Sequence, residues 1–299
     1  MKKYKICKIL LVILAIFLCV AFYELLGICV AYKKQPEVSN TTKKETKNGS
    51  WNECSENTER AVIIEKNPEA LLQRVRLIKN AKKEIILSTF AFQSDESGKL
   101  ILGALHDAAD RGVHIRLLVD GMESWIDMEG NPYFYGLSSH ENVEIKLYNK
   151  ANPLKPWKMM GRMHDKYLIA DGKRYILGGR NTYNYFLGDF PGHKNYDRDV
   201  LVVCDEPEKE NSVNQLLEYF ETIWEQEDSG YFHDNKKLAN RKSVKNAVLE
   251  LQNGYQKYFE ENKERICDTD YTDETFETEK IALVSNPIHT GSKEPVVWY

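Results

Sequence analysis

The sequence predicts an α/β fold, an α-β-α sandwich on a mixed sheet, preceded by a transmembrane helix. Two observations carry this expectation. From residue 60 onward, short runs rich in β-branched residues alternate with stretches whose apolar residues recur at helical spacing, and the first 32 residues hold a long apolar run behind a cluster of lysines. A chain of 299 residues, 42% hydrophobic and 29% charged, has room for one large or two modest domains.

Lys2, Lys3, Lys5 and Lys8 precede an apolar run from Ile9 to Tyr32, broken only by Glu24. Its 24 residues, at about 1.5 Å each, span about 36 Å, enough to cross a bilayer. A cleaved signal peptide would end its apolar core near Tyr23. Here the run continues, no small-x-small site follows, and Ile28 stands before Cys29 where a lipoprotein box needs a small residue, so an uncleaved anchor over residues 1–32 is expected. The amino-terminal lysines predict a cytoplasmic amino terminus and an extracytoplasmic domain, against the weaker pull of Lys33 and Lys34. Residues 33–59 are polar and unpatterned and read as a flexible tether, with sequon-type triplets at Asn40 and Asn48.

The folded part starts with a strand at Ala61–Ile64. Asn67-Pro68 opens a helix through Asn80, with Leu71, Leu72, Val75 and Ile78 on its apolar face. Strands follow at Glu84–Phe92, Val113–Val119, Val143–Tyr148 and Asp199–Cys204. A helix at Leu100–Ala109 lies between the first two, and one at Glu208–Gln226 follows the last. The segment after Asp120-Gly121, with Pro132 and several aromatics, reads as a loop. Residues 236–263 read as a further helix within a linker of 229–279, and Lys280–Ser285 as the first strand of another domain.

Between 162 and 181 lies RMHDKYLIADGKRYILGGRN, two apolar runs about Asp171-Gly172, which predicts a β-hairpin. With a two-residue turn, 166 would pair with 177 and 164 with 179, so that Gly179 would lie opposite His164 and leave clearance for a ligand. His164 and Lys166 would share a face with Asn181. Imidazole, ammonium and amide around such a space suit a tetrahedral anion. Asp171 would sit about 16 Å from Lys166 along the strand, which assigns it to fixing the turn or supporting the site.

His164, Lys166, Asp171, Gly178, Gly179 and Asn181 occupy every defining position of H-x-K-x4-D-x6-G-G/S-x-N, so the stretch resembles the HKD motif of the phospholipase D superfamily. The strand and helix order over about residues 60–228, and the Tyr196-Asp197-Arg198-Asp199 segment, are similar to one half of the bacterial cardiolipin synthase and phosphatidyltransferase-like members. The resemblance implies a phospholipase D-like sandwich and a phosphodiester or phospholipid substrate. It also implies catalytic roles for His164, Lys166 and Asp171, substrate contacts from Gly179 and Asn181, and no metal or cofactor. In the implied mechanism one histidine attacks phosphorus while a second protonates the leaving alcohol.

The superfamily normally combines two such motifs, and this chain has one. A homodimer would supply the second histidine across a twofold axis. Alternatively, residues 280–299 are the start of a second half lost by truncation, to be supplied by a separate chain. The remaining histidines, His106, His114, His140, His193, His233 and His289, follow no ligand spacing and are expected at the surface or in packing, His193 lying closest to the motif. Six dispersed cysteines argue against a disulfide framework, and nothing in the sequence supports a Cys54–Cys267 bridge. Net charge of −4 does not suggest general nucleic-acid affinity. Nine basic against two acidic residues between Lys146 and Arg180 nonetheless predict a local basic patch for phosphodiesters or anionic headgroups.

Overall fold

The computed structural model describes residues 2–33, 59–158, 161–204, 211–232, 237–279 and 281–285. Residues 34–58 of the expected tether, both sequons, Cys54, His233 and His289 lie outside the described residues, while Lys33 ends the first helix and Glu59 opens the first strand.

The amino-terminal run forms one helix, α1 (Lys2–Lys33), and its Tyr4–Val30 portion is long and apolar enough to cross a membrane. The other elements are β1 (Glu59–Ile64), α2 (Asn67–Asn80), β2 (Glu84–Thr89), α3 (Glu96–Asp110), β3 (His114–Asp120), α4 (Gly121–Asp127), α5 (Pro132–Ser138), β4 (Val143–Tyr148), β5 (Tyr167–Ala170), β6 (Arg174–Gly178), β7 (Asp199–Val203), α6 (Ser212–Trp224), β8 (Ser229–Tyr231), α7 (Lys242–Glu261), α8 (Lys263–Cys267) and β9 (Phe276–Thr278). Among the described residues, nine strands form one sheet in the order β8-β4-β3-β2-β5-β6-β7-β1-β9. β2, β3 and β4 run parallel and the other pairings are antiparallel, so the sheet is mixed.

Side chains on alternate sides of each strand enter two cores. Ile85, Leu87, Ile115, Leu117, Leu168, Ile176 and Leu201 join α2, α3, α5 and α7 on one face. Ile86, Leu118, Tyr167, Ile169, Tyr175 and Val202 join Val213, Leu216, Phe220, Ile223 and Trp224 of α6 on the other. The near-continuous apolar runs of the central strands follow from this two-sided burial.

Three expectations change. The segment after Asp120 is not a loop: Asp120 caps α4, accepting from the backbone N–H groups of Met122 (3.0 Å) and Glu123 (3.2 Å), and Asn131 caps α5 through Tyr133 N–H (3.1 Å).

Residues 229–279 are not a linker. α7 buries Val244, Ala247, Leu251, Tyr255 and Phe259, the last three within the first core, while β8 and β9 extend the two edges of the sheet. The fully buried Arg76 then ties the return chain down, donating to the Asp268 and Asp270 carbonyls and to the Glu274 carboxylate, with its guanidinium 3.9 Å from the Tyr271 ring centre.

Residues 281–285, expected to open a new domain, are not a strand. Ile281 and Leu283 lie on the α6 face, and Leu283 N–H donates to Gln215 Oε1 at 2.8 Å.

Candidate active site

The motif hairpin forms as β5 and β6, but with a shifted register. Asp171 (φ 55°) and Gly172 (φ 62°) both take the positive φ of the tight turn expected for Asp-Gly, closed by Lys173 N–H on the Ala170 carbonyl at 3.0 Å. Lys173 then intervenes as an extra residue before pairing begins, so Ala170 faces Arg174 and Tyr167 faces Leu177. By this register Gly178, not Leu177, meets Lys166: its N–H donates to the Lys166 carbonyl at 3.1 Å. Gly179 does not provide clearance opposite His164. A Cβ there would stand 2.1 Å from the Asp197 carboxylate, and one on Gly178 would stand 2.1 Å from Asp199 Oδ1. The two glycines make room for two aspartates of the segment that follows the motif.

Asp199 lies beside Gly178 on β7, buried between Arg74 (2.9 Å) and Arg180 (3.2 Å). Arg180 also donates to the carbonyls of Ile64 and Glu65. It is therefore a structural cation inside the motif. Lys146, Lys158 and Arg162 are likewise engaged, with the Trp224 carbonyl, Asp228 and Asp120. The predicted basic patch is thus not a free positive surface: a linear count of charges does not see partners brought in from elsewhere in the chain.

His164 precedes β5 on an irregular segment that two contacts hold in place. The buried Asp120, at the end of β3, accepts from Arg162 Nε (2.8 Å) and from Met163 N–H (3.0 Å). Phe90, just beyond β2, meets the His164 ring at a centroid distance of 4.7 Å and 68°. Asn181 reaches the same stretch of chain, its Oδ1 accepting from Ala91 N–H at 3.2 Å, and Thr182 N–H bonds the Ala91 carbonyl. His164 and Asn181 are thereby brought to adjacent residues after β2. Lys166, buried, sends its ammonium back to the His164 carbonyl at 2.5 Å. Between His164 and Lys166, Asp165 accepts from the Tyr219 hydroxyl at 2.9 Å. Asp171 is not at this site. From the far end of β5 its carboxylate accepts the N–H groups of Lys82, Lys83 and Glu84 at 2.7–3.1 Å.

Desolvation, reinforced by the Lys166 charge, lowers the His164 pKa below the ordinary imidazole value, against an opposing pull from Asp120. Desolvation also lowers Lys166 to about 8, against Asp165 and Asp197. At neutral pH the pair is accordingly a neutral imidazole with a lone pair to donate and a largely protonated ammonium two residues away. A cavity of about 290 Å³ opens on His164, Lys166 and Gly178, and Leu283, Val284 and Ser285 close one wall of it.

Asp120, Phe90 and Tyr219 were not singled out from the sequence as site residues. For Asp120 a signal existed, since an Asp-Gly pair directly after an apolar strand suits a helix cap. His193 packs against Tyr185 (5.3 Å) and His106 and His140 share Asp110, in line with packing or surface roles.

Residues 74–224, just over half of the chain, match the family described as cardiolipin synthase, PLD-like domain. An uncharacterized protein of Helicobacter pylori strain J99 is 30% identical over 212 residues, covering 66% of this chain and 39% of its own length. Cardiolipin synthase C of Escherichia coli is 29% identical over 171 residues, covering 52% of this chain and 34% of its own. The chain therefore spans about two-fifths of these curated relatives or less. Among solved structures, phosphatidylserine synthase of Haemophilus influenzae superposes with a TM-score of 0.48 at 17% identity, covering 74% of this chain and 48% of that one. NucT from Helicobacter pylori gives 0.46 at 18%, covering 58% and 99%.

Proposed function

Because the chain belongs to the phospholipase D superfamily, through its cardiolipin synthase-type domain, we propose that it is a membrane-anchored phosphatidyltransferase or phosphodiesterase acting on phospholipid headgroups through a phosphohistidine. The observation that carries this reading is that His164 and Lys166, two residues apart on one short segment, line the same cavity. The imidazole lone pair attacks phosphorus and the P–O bond to the leaving alcohol breaks. Lys166 and the Asn181 amide hold the phosphoryl oxygens as charge develops on them. Asp171 fixes the hairpin and Gly179 admits Asp197, so neither touches substrate. A second imidazole protonates the leaving oxygen and then activates water or an acceptor alcohol. It comes from a twofold-related copy or from a separate chain carrying the other half.

Two features favour a lipid. α1 is apolar enough to anchor the chain, and its Tyr23 hydroxyl donates to the Leu154 carbonyl (3.0 Å) in the loop that leads to the motif. In addition, Leu177, Leu216, Leu283 and Val284 give the site cavity an apolar side. The single motif instead favours a homodimeric phosphodiesterase acting on nucleic acid. Assays with phosphatidylglycerol and with DNA separate the two. His164→Asn is expected to abolish turnover and the acid-labile, base-stable phosphoenzyme, and undiminished turnover in that variant would sink both readings. Should wild-type protein bind vanadate yet turn over neither substrate, the chain alone is a phosphate-binding half-site.

A further inference from the structure

We propose that Phe90 is a positioning residue of this site, a single aromatic ring that sets the His164 imidazole and steadies the Lys166 and Arg162 side chains. The proposal deepens the functional reading above and rests on it only for the meaning of activity loss.

Three contacts converge on this ring. His164 meets it in an edge arrangement at 4.7 Å, Lys166 Nζ stands 5.3 Å from its centre, and the Arg162 guanidinium carbon stands 4.9 Å from it. Each distance lies within the range in which a quadrupole attracts a cation or orders a second ring. Phe90 is half-buried and, among the described residues, belongs to neither apolar core.

The position of the ring is itself determined. Thr89 Oγ1 donates to the Ala91 carbonyl (3.0 Å), and Ala91 N–H donates to Asn181 Oδ1, which clamps the backbone on either side of Phe90. His164 and Lys166 both precede the first residue of β5, so the orientation of their side chains is set by what packs on them as well as by the strand. An apolar ring suits the task. It removes water from the imidazole without offering a donor or acceptor that would compete for a phosphoryl oxygen, and its face compensates the ammonium and guanidinium for the lost hydration.

The groups facing His164 are Lys166, Asp120 and Arg162, and those facing Lys166 are Asp165 and Asp197. None of these groups is itself replaced by a change at Phe90, so a displaced titration reports the ring, through the water it excludes and through the Lys166 and Arg162 side chains it steadies.

The test is an NMR titration of the His164 Cε1 resonance, assigned by its loss in His164→Asn, in the full chain in detergent micelles. Thermal midpoint and hydrolysis of bis(p-nitrophenyl) phosphate are measured alongside. Phe90→Ala is expected to raise the His164 midpoint by about half to one pH unit as water returns, and to lower kcat/KM by about tenfold to a hundredfold through misplacement. Phe90→Leu keeps the apolar bulk and is expected to lower kcat/KM with a smaller titration shift, and Phe90→Tyr, which keeps the ring, to retain most of both. An unchanged His164 titration in Phe90→Ala, or kcat/KM within twofold of wild type in both Phe90→Ala and Phe90→Leu, overturns the proposal. If Phe90→Ala loses its cooperative melt, Phe90→Leu against Phe90→Tyr decides the matter. If wild-type protein neither turns over substrate nor binds vanadate, the functional reading fails while the titration still tests the ring.

Discussion

Burial lowers the pKa of both His164 and Lys166, and the two consequences for activity have opposite sign. The imidazole must be unprotonated to attack, so kcat/KM should fall as the pH drops through a value below the ordinary imidazole range. The ammonium must be protonated, so kcat/KM should also fall as the pH rises through about 8. A pH–rate profile of wild type and Lys166→Arg checks this: the guanidinium stays charged, so the loss of rate through about 8 should vanish and leave only the basic limb of the imidazole that protonates the leaving alcohol, even though the planar fork lowers the maximum. Asp171 makes a separate prediction. Asp171→Ala leaves three backbone N–H groups without their carboxylate and puts Ala at φ 55°, so urea denaturation should show a loss of about 2–3 kcal/mol with kcat/KM little changed. Asp171→Asn, which tolerates that φ and keeps one acceptor, should lose less. The residue types of the motif were legible because a phosphodiester needs an imidazole and a cation close together in sequence. Asp120 and Phe90 were not, since each reaches His164 from a strand end more than forty residues away.

Among the elements, the apolar pattern located both strands of the hairpin and its turn but not its register. Nothing in the alternation of Ala170, Lys173 and Tyr175 marks Lys173 as an extra residue, and one residue is enough to exchange Gly179 for Arg180 in the pairing implied for 164. The long helices were legible from their spacing. α4 and α5 were not, because seven-residue helices rest on caps more than on periodicity, and β8 and β9, three residues each, exist through their neighbours. What locks β6 to β7 is the carboxylate that Gly178 makes room for. Asp199→Ala removes the shared anion and leaves Arg74 and Arg180 facing each other without it, so the cost should be about 3–5 kcal/mol by chemical denaturation. Gly178→Ala should destabilise in the same direction, because its Cβ would collide with backbone and carboxylate that cannot withdraw.

For the whole molecule, the question is where the folding unit ends. Composition and the resemblance to a half-protein placed that end near residue 228, since an amphipathic helix shows which of its faces is apolar but not what it packs on. α7 packs on this same domain: Leu251 and Tyr255 approach α3 so closely that a Cβ on Gly103 would stand 2.6–2.7 Å from them. Without residues 229–279, Leu251, Tyr255 and Phe259 would leave the first core and the buried Val244 would go with them, Arg76 would lose every acceptor supplied by residues 268–274, and β1 would lose β9. At about 1.5–3 kcal/mol for each large buried side chain, removal of α7 alone subtracts about 6–12 kcal/mol, comparable with the entire stability of an ordinary domain. A chain ending at residue 228 is therefore expected to be aggregated or molten, and one ending at 279 to keep a cooperative melt, as read by near-ultraviolet circular dichroism and calorimetry in the same detergent. A cooperative transition in the shorter chain would return residues 229–279 to the status of a linker. The longer chain lacks Leu283, Val284 and Ser285, so it also isolates their contribution to the site cavity: loss of phospholipid turnover with the fold retained would assign that wall to substrate binding.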